Sequence, residues 1–208
     1  MFKKIKILLL IICLITCLGL MSSTYSRYVA SAQSDINAQF SKWQILVDSI
    51  DVTSNSQSSV NITPIIEENQ FIASDTVAPS SKGYFDIIID PTNVDVSFNY
   101  NINLSVLNEN IPDLIISKYA ILPENYIEGD TLEFIPILNN NITNSLLYNN
   151  NEVGFTFNPF TIRIYFEWFE GTNETMNDEA DTTIGTLAVN ESTVLEMNAN
   201  ITFEQIIE

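Results

Sequence analysis

The sequence predicts an all-β protein, an antiparallel two-sheet β-sandwich of jelly-roll-like or immunoglobulin-like type, preceded by an N-terminal signal-peptide helix. Three observations lead to this fold class. Apolar and polar residues alternate with period two over long stretches, Pro and Asn stand at most strand ends, and no sustained helical period occurs after the first residues. Strands with one apolar face each bury those faces when two sheets stack.

The clearest alternation runs over residues 94–106, where seven apolar side chains share one face and Asp, Ser and Asn share the other. Residues 160–168 and 195–203 repeat this pattern. Strict alternation is typical of a strand with one buried and one solvated face. Weaker patterns predict further strands at 38–47, 59–63, 84–89, 114–122, 132–138 and 153–157.

Turn-forming residues separate the predicted strands. The run Asp-Pro-Thr-Asn at 90–93 predicts a turn, as do the clusters at 78–83 and 108–113. Asn tracts at 139–141 and 149–151 are expected to bracket one long loop. Segments 64–69 and 111–116 allow a short helical turn each. These features indicate many short strands joined by turns.

The first residues have the layout of a secretory signal. Lys3, Lys4 and Lys6 precede an apolar run at 7–21, and small or polar residues follow it. The apolar run is shorter than the roughly 20 residues of a membrane span. We expect a signal peptidase to cut between Ser26 and Arg27, which leaves no stable membrane span.

Three alternatives to this processing remain. The first is a cut after 30–32 (Ala-Ser-Ala), and the second is an uncleaved anchor. In both cases the rest of the chain is exported, because the basic flank stays inside. The third alternative is lipidation at Cys17, in a sequence that resembles a lipoprotein box.

Cleavage would change the composition of the working protein. Both cysteines, Cys13 and Cys17, lie in the signal, so the mature chain would have neither disulfides nor thiol chemistry. Mature net charge would be 5 − 26 = −21, because all 26 acidic residues and only five of the eight basic ones lie beyond residue 26. Such a charge repels nucleic acid and anionic lipid. Residues 38–208 are long enough for one domain with a real core.

The residue types argue against an enzyme. The chain has no histidine, which excludes a Ser-His-Asp triad, a Cys-His pair and an HExxH zinc site. We therefore expect no catalytic residues and no bound cofactor. A hydrolase built on two carboxylates stays open, but 26 acidic residues make close pairs uninformative.

One acidic loop raises the question of a metal. Residues 170–182 carry many oxygen ligands, and Asn177, Asp178 and Asp181 are the Ca²⁺ candidates within them. The spacing fails the EF-hand pattern, since Asp178 stands where Gly is needed and Ile184 where the bidentate Glu should be. The alternative is a solvated loop without metal.

The segment 27–37 after the expected cut is extended in character. It can form the first strand of its own sheet, or it can add to the sheet edge of a neighbouring subunit as a donated strand. In the second case the assembly residues are Tyr28, Val29, Ala30 and Ala32.

Three stretches resemble the TasA/camelysin-like family of exported Gram-positive proteins. The first is Thr-Tyr-Ser-Arg-Tyr at 24–28, followed by Ala-Gln-Phe-Ser-Lys-Trp at 38–43. The second is the strand-turn-strand unit 77–85 with 94–100 after it, in which Ser80 replaces the usual Gly. The third is Phe-Glu-Trp at 166–168, leading to the block 177–185.

The resemblance implies a jelly-roll-like sandwich, cleavage by a dedicated SipW-type signal peptidase, and polymerisation into extracellular matrix fibres through a donated N-terminal strand. We therefore expect a secreted, non-enzymatic subunit, associated with the cell wall or a biofilm matrix, that pairs with itself or with a paralogous subunit. A monomeric surface module for a host protein, a glycan or Ca²⁺ is the alternative. A camelysin-like protease is a further one, although the histidine-free chain offers no residues for it.

Overall fold

The computed structural model describes residues 2–28, 39–54, 58–107, 113–169, 178–190 and 194–207. The chain divides into two compact units, residues 1–40 and 41–208. The first contains helix α1 (Phe2–Tyr28). Its apolar side chains between residues 5 and 18 are exposed. No helix in the described ranges combines the length and the apolar character that a membrane crossing requires.

The helix α1 is longer than the expected signal. It includes Arg27 and Tyr28, which the sequence placed in the extended segment 27–37. The helix continues through small and polar residues after the apolar run, among them Thr24 and Ser26. Residues 29–38 lie outside the described ranges.

The unit 41–208 is built from antiparallel strands in two sheets, which confirms the all-β class. The seven-stranded sheet has the order β2-β1-β5-β10-β7-β8, and β4 also pairs with β5. Its strands are β1 (Trp43–Val47), β2 (Ile50–Asp51), β4 (Ile65–Ile66), β5 (Lys82–Val94), β7 (Leu114–Leu122), β8 (Ile135–Pro136) and β10 (Phe160–Trp168). The four-stranded sheet has the order β3-β11-β6-β9. Its strands are β3 (Ser58–Asn61), β6 (Phe98–Val106), β9 (Asn141–Leu146) and β11 (Met197–Gln205).

One buried core cluster draws apolar side chains from both sheets. Ile87, Ile89, Ile162 and Ile164 of the seven-stranded sheet belong to it, as does Ile102 of the four-stranded sheet. Their burial is the main stabilising contribution to this unit, at roughly 25 cal/mol for each Å² of apolar surface removed from water. The alternation seen in the sequence supplies these residues, because every second side chain of a strand points to the same face.

Four predicted strands agree with the structure to within two residues at each end. The ranges 160–168 and 114–122 coincide with β10 and β7, while β3 and β11 are offset by one or two residues from 59–63 and 195–203. The other predictions were wrong in extent: β5 continues beyond 84–89 at both ends, and of the described part of 38–47 only Trp43–Val47 form a strand, β1. Of 132–138 only the two residues of β8 form a strand, and 153–157 forms none, although its Phe157 is buried in the core. Burial alone does not make a strand where no neighbouring backbone pairs.

The predicted long strand 94–106 is interrupted. β5 ends at Val94 and β6 begins at Phe98, so the chain leaves one sheet and enters the other at 95–97. Hydrogen bonds hold this crossing: Lys42 N–H donates to Asp95 Oδ2 at 2.9 Å, and Tyr148 N–H donates to Ser97 Oγ at 2.9 Å. The alternation persists through the crossing because both sheets contribute to one core. For this reason the sequence pattern did not reveal the break.

The expected turn at 90–93 is a bulge inside β5 instead. Gln44 of β1 pairs with Asn93 and Leu46 pairs with Asp90, so β5 carries an extra residue between them. The buried Pro91 lies in this irregularity, where its missing N–H costs no ladder hydrogen bond. The true turn next to β1 is Asp48-Ser49, whose φ values of 48° and 70° are those of a tight hairpin.

Three further expectations are corrected. The block 139–151 is no single loop, because β9 begins at Asn141 after a turn at Asn139 and Asn140, both with positive φ. Segment 64–69 contains the two-residue strand β4 rather than a helical turn, and residues 114–116 belong to β7. Helix α2 (Asp178–Asn190) occupies a region where no helix was expected. Its three Thr residues and its Gly are poor helix formers, so the sequence did not predict this helix. Acidic residues in its first turn do favour a helix N-terminus.

Candidate functional site

The expected cleavage site lies in the last turns of α1. Ser26 and Arg27 are helical, and Tyr28 is the last residue of the helix. The other proposed assembly residues, Val29, Ala30 and Ala32, fall outside the described ranges. The structure therefore places one of the four assembly residues, in a helix of the full-length chain.

The three Ca²⁺ candidates are not brought together as a described site. Asn177 lies outside the described residues, Asp178 begins α2, and Asp181 belongs to its first turn. Asp181 Oδ1 accepts a hydrogen bond from Trp168 Nε1 at 3.2 Å. Within the part of the chain that the structure describes, no group of three or more acidic or Cys side chains is arranged to hold a metal ion.

A cavity of about 610 Å³ lies beside α2 and the end of β10. Its lining is mostly apolar, with Trp168, Ile184 and Leu195 as its larger side chains. The size falls in the range of ligand pockets in proteins. The hydrogen bond between Trp168 and Asp181 joins β10 to α2 at this cavity.

The loop 78–81 completes the cavity wall and is fixed to β10. Ser80 N–H donates to the carbonyl of Trp168 at 3.1 Å, and Trp168 N–H donates to the carbonyl of Ser81 at 2.9 Å. The Ser81 side chain is buried and accepts from Ala78 N–H at 2.9 Å. Two of the sequence stretches that carry the family resemblance, 77–85 and 166–168 with 177–185, thus contact each other here. Ser80 adopts a positive φ of 74°, a backbone conformation that favours glycine.

A charged and aromatic cluster covers the other face of the seven-stranded sheet. Its centre is Arg163, which is buried and forms ion pairs with Asp86 at 2.9 Å and Glu128 at 2.8 Å. The Arg163 guanidinium lies 3.9 Å from the centroid of the Tyr84 ring. Hydrogen bonds to Asp86 raise the pKa of Arg163, so it stays charged at neutral pH.

An open groove of about 590 Å³ lies next to this cluster, between β5, β7, β8 and β10. Lys118 Nζ lies 4.0 Å from the centroid of the Phe134 ring, and Phe134 meets Tyr165 edge to face at 5.3 Å. Lys82 and Glu167 face each other across β5 and β10 at 3.9 Å. We call these residues, with Glu67 and Ser117, the sheet-face groove.

The sheet-face groove is not among the sites that the sequence predicts. Its residues come from four strands and two connecting segments, separated by up to 100 positions. The distribution of positive charge was the one local sign of this region. Beyond residue 40 the basic residues are Lys42, Lys82, Lys118 and Arg163. The last three of them lie in strands, on the face opposite the core.

The two sheets differ in the chemistry of their edges. The seven-stranded sheet ends in the two-residue strands β2 and β8, which contain Asp51 and Pro136. The four-stranded sheet ends in β3 and β9, and neither contains a charged residue or a proline. Natural monomers commonly protect sheet edges with charge, proline, bulges or short strands. The register of β9 against β6 is continuous over its six residues, without a bulge.

No protein-family model, no curated protein and no solved structure matches this chain.

Proposed function

We propose that this chain is a secreted, non-enzymatic structural subunit that self-associates into extracellular matrix or surface fibres. It would belong with the TasA/camelysin-like proteins of Gram-positive bacteria and be released by a signal peptidase. The sequence supports this with a secretory-type N-terminus, a thiol-free acidic mature region and three family-like stretches. Its site of action would be the biofilm matrix or the cell wall.

The fold that we infer for the subunit is a jelly-roll-like β-sandwich. Contacts between side chains of the two sheets support the sandwich: Tyr100 and Phe160 lie 5.7 Å apart, and Trp43 and Phe98 meet edge to face at 6.0 Å. The crossing at 95–97, which carries the chain from one sheet to the other, is the kind of connection that such folds use.

The observation that carries the proposal is the unprotected β9 edge. β9 pairs with β6 on one side, and in the described residues no other strand pairs with it. An exposed, uncharged, regular edge accepts an added strand, because its outward N–H and C=O groups lack partners in a ladder. A six-residue edge without charge also adds no charge repulsion of its own when two strongly acidic copies meet there.

The direction of the backbone groups in β9 can be assigned. Ser145 N–H donates to the side chain of Asn144 at 2.8 Å instead of to β6. Because residues of an antiparallel pair alternate between facing the partner strand and facing away, Thr143 N–H points away from β6 as well. An incoming strand would therefore bind at Thr143 and, by displacing the Asn144 side chain, at Ser145.

The incoming strand that we propose is segment 27–37 of another subunit, with Tyr28, Val29, Ala30 and Ala32 as its assembly residues. In the full-length chain Tyr28 belongs to α1. Cleavage before Arg27 would separate these residues from the signal helix and allow an extended conformation. A paralogous subunit is the alternative donor.

Removal of the donor segment tests this assembly. Protein that starts at Arg27 should form high-molecular-weight species by size-exclusion chromatography and fibres by negative-stain electron microscopy. Protein that starts at Ala38 keeps the whole unit 41–208 and should stay monomeric. A monomeric Arg27 form at high concentration and neutral pH would overturn the proposal.

Substitutions on β9 test the acceptor edge. T143P removes an outward N–H while leaving the β6 ladder intact, and T143K places a charge on the edge; both should abolish fibres. T186K, which adds the same charge on an exposed position of α2, is the matched control and should leave fibres unchanged. Fibres formed equally by T143P and T143K would exclude β9 as the acceptor.

The runner-up function is a monomeric surface module for a host protein, a glycan or Ca²⁺, and the sheet-face groove favours it. A camelysin-like protease is the third candidate, and casein digestion with and without chelator tests that activity. Self-association in solution separates the first function from the second.

A further inference from the structure

The sheet-face groove combines hydrogen-bonding groups of both kinds with aromatic surface. Lys82, Lys118 and Ser117 supply donors, while Glu67 and Glu167 supply acceptors. The volume of about 590 Å³ is that of a site for a ligand of several rings or residues. The groove is open rather than enclosed, so a longer ligand could extend beyond it.

The floor of the groove is shaped by two irregular positions. The pairing of β10 with β7 shifts between Tyr165 and Phe166, so Ser117 is an extra residue in β7. Such bulges redirect a side chain and recur beside binding sites. At Gly83, a Cβ atom would lie 2.5 Å from the carbonyl oxygen of Ile65 and 2.5 Å from the Phe166 ring, so a larger residue would force these neighbours to move.

Phe134 supplies exposed aromatic surface. It is 46% exposed although it contacts both Lys118 and Tyr165. The carbonyl of Ser117 accepts from Ile137 N–H at 3.0 Å, which fixes the segment that carries Phe134 against β7. A fixed, exposed ring beside polar groups is an arrangement that binds ligands with both apolar and polar faces.

The charges of the groove balance. Two ammonium groups, on Lys82 and Lys118, lie with two carboxylates, on Glu67 and Glu167, which gives 2 − 2 = 0. An anionic ligand would meet the two carboxylates and the field of a chain with net charge −18. A cation would meet the two ammonium groups. A neutral ligand with many hydroxyl groups uses donors and acceptors together.

From these observations we infer that the sheet-face groove binds a neutral saccharide chain. Sugar hydroxyls would exchange hydrogen bonds with Lys82, Glu167 and Ser117, and the apolar face of one ring would pack on Phe134. This binding does not depend on self-association, because the β9 edge belongs to the other sheet.

Calorimetric titration of the Arg27 form tests the inference with three neutral hexasaccharides: cellohexaose, maltohexaose and chitohexaose in its N-acetylated form. At least one of them should bind, with an affinity that changes little between low and high salt. F134A should weaken that binding about tenfold, as removal of an aromatic anchor does. E167Q, which keeps the side-chain shape, should weaken it several-fold.

The matched control is F71A, since Phe71 is 86% exposed and lies outside the groove, and it should bind as the unaltered protein does. Circular dichroism verifies that each variant is folded. Absence of binding for all three sugars at millimolar concentration would overturn the inference. An anionic oligogalacturonate is titrated for comparison, and salt-sensitive binding of this sugar alone would also overturn the inference. Equal sugar affinities of F134A and F71A would overturn it as well.

Discussion

Arg163 and Asp86 form a two-pronged ion pair across β10 and β5: Arg163 Nε donates to Asp86 Oδ1 at 2.9 Å, and Arg163 Nη2 donates to Asp86 Oδ2 at 3.0 Å. The two residues are direct partners in the strand register. The Arg163 side chain is 8% exposed, so its charge depends on these contacts for solvation. The pair therefore links the two central strands of the seven-stranded sheet on the face opposite the core.

Removal of Asp86 should destabilise the fold strongly. D86A leaves a buried guanidinium with Glu128 as its remaining ion-pair partner among the described residues. We expect the free energy of unfolding to fall by about 2–3 kcal/mol, somewhat below a fully buried pair because Asp86 is partly exposed. E128Q is the control and should cost less than about 1 kcal/mol, since the Glu128 side chain is 70% exposed. If urea denaturation gives D86A and E128Q equal losses of unfolding free energy, Asp86 is not the main partner of Arg163.

Gly83 and Gly185 should respond in opposite directions to alanine. At Gly83 the added methyl collides with the Ile65 carbonyl and the Phe166 ring, so G83A should lower the free energy of unfolding by about 1–3 kcal/mol. At Gly185 in α2 no atom lies within 4 Å of the new Cβ, so G185A should raise it by up to about 1 kcal/mol through helix propensity. Chemical denaturation of both variants measures this, and a stable G83A would show that β4 can move away from β5.

The contact between Trp168 and Asp181 should hold α2 in place. D181A removes the acceptor of the Trp168 indole N–H. The lost hydrogen bond is worth about 1 kcal/mol, and its loss should weaken the attachment of α2 to β10. We expect lower helical signal in circular dichroism and a shift in tryptophan fluorescence, with the strand signal kept. E179A removes an exposed carboxylate of the same first turn, so it should lower the helical signal slightly and leave the tryptophan fluorescence unchanged. Addition of millimolar Ca²⁺ tests the metal alternative in the same samples, and we expect no rise in melting temperature.

Alkaline pH should destabilise the protein through its buried tyrosines. Burial raises the pKa of Tyr100 above 10.0, with the nearby Asn144 side chain offsetting part of the rise. It also raises the pKa values of Tyr84, Tyr119 and Tyr165. In the unfolded chain these phenols lose their protons near pH 10, whereas the folded state retains them. The free energy of unfolding should therefore fall as pH rises above about 10 and show no tyrosine contribution below about pH 9.

Tyr100 is the informative variant for this titration. Its hydroxyl oxygen is buried, and no described residue meets hydrogen-bond geometry with it, Asn144 included. Y100F should thus cost little at neutral pH and flatten the loss of stability above pH 10. A Y100F profile parallel to that of the unaltered protein would assign the alkaline effect to other groups.

Local sequence patterns predicted most of the central strands. The bounds of β7 and β10 were predicted to the residue. Each strand is long, alternates between a buried and a solvated face, and is bounded by turn-forming residues. The candidate sites were harder. The proposed groove depends on Lys82, Lys118 and Phe134 lying together, and their proximity follows from the pairing of β5, β10 and β7, which no local pattern contains.

The sequence by itself determined that the chain is β-rich and acidic and that it lacks histidine. The tertiary structure decided where the alternating stretch 94–106 divides between two sheets, that 178–190 is a helix, and which edges carry no charge. The physical reason is that alternation records only whether a side chain is buried. Strand partners and sheet membership depend on backbone hydrogen bonds between distant segments, and several pairings satisfy the same pattern of burial.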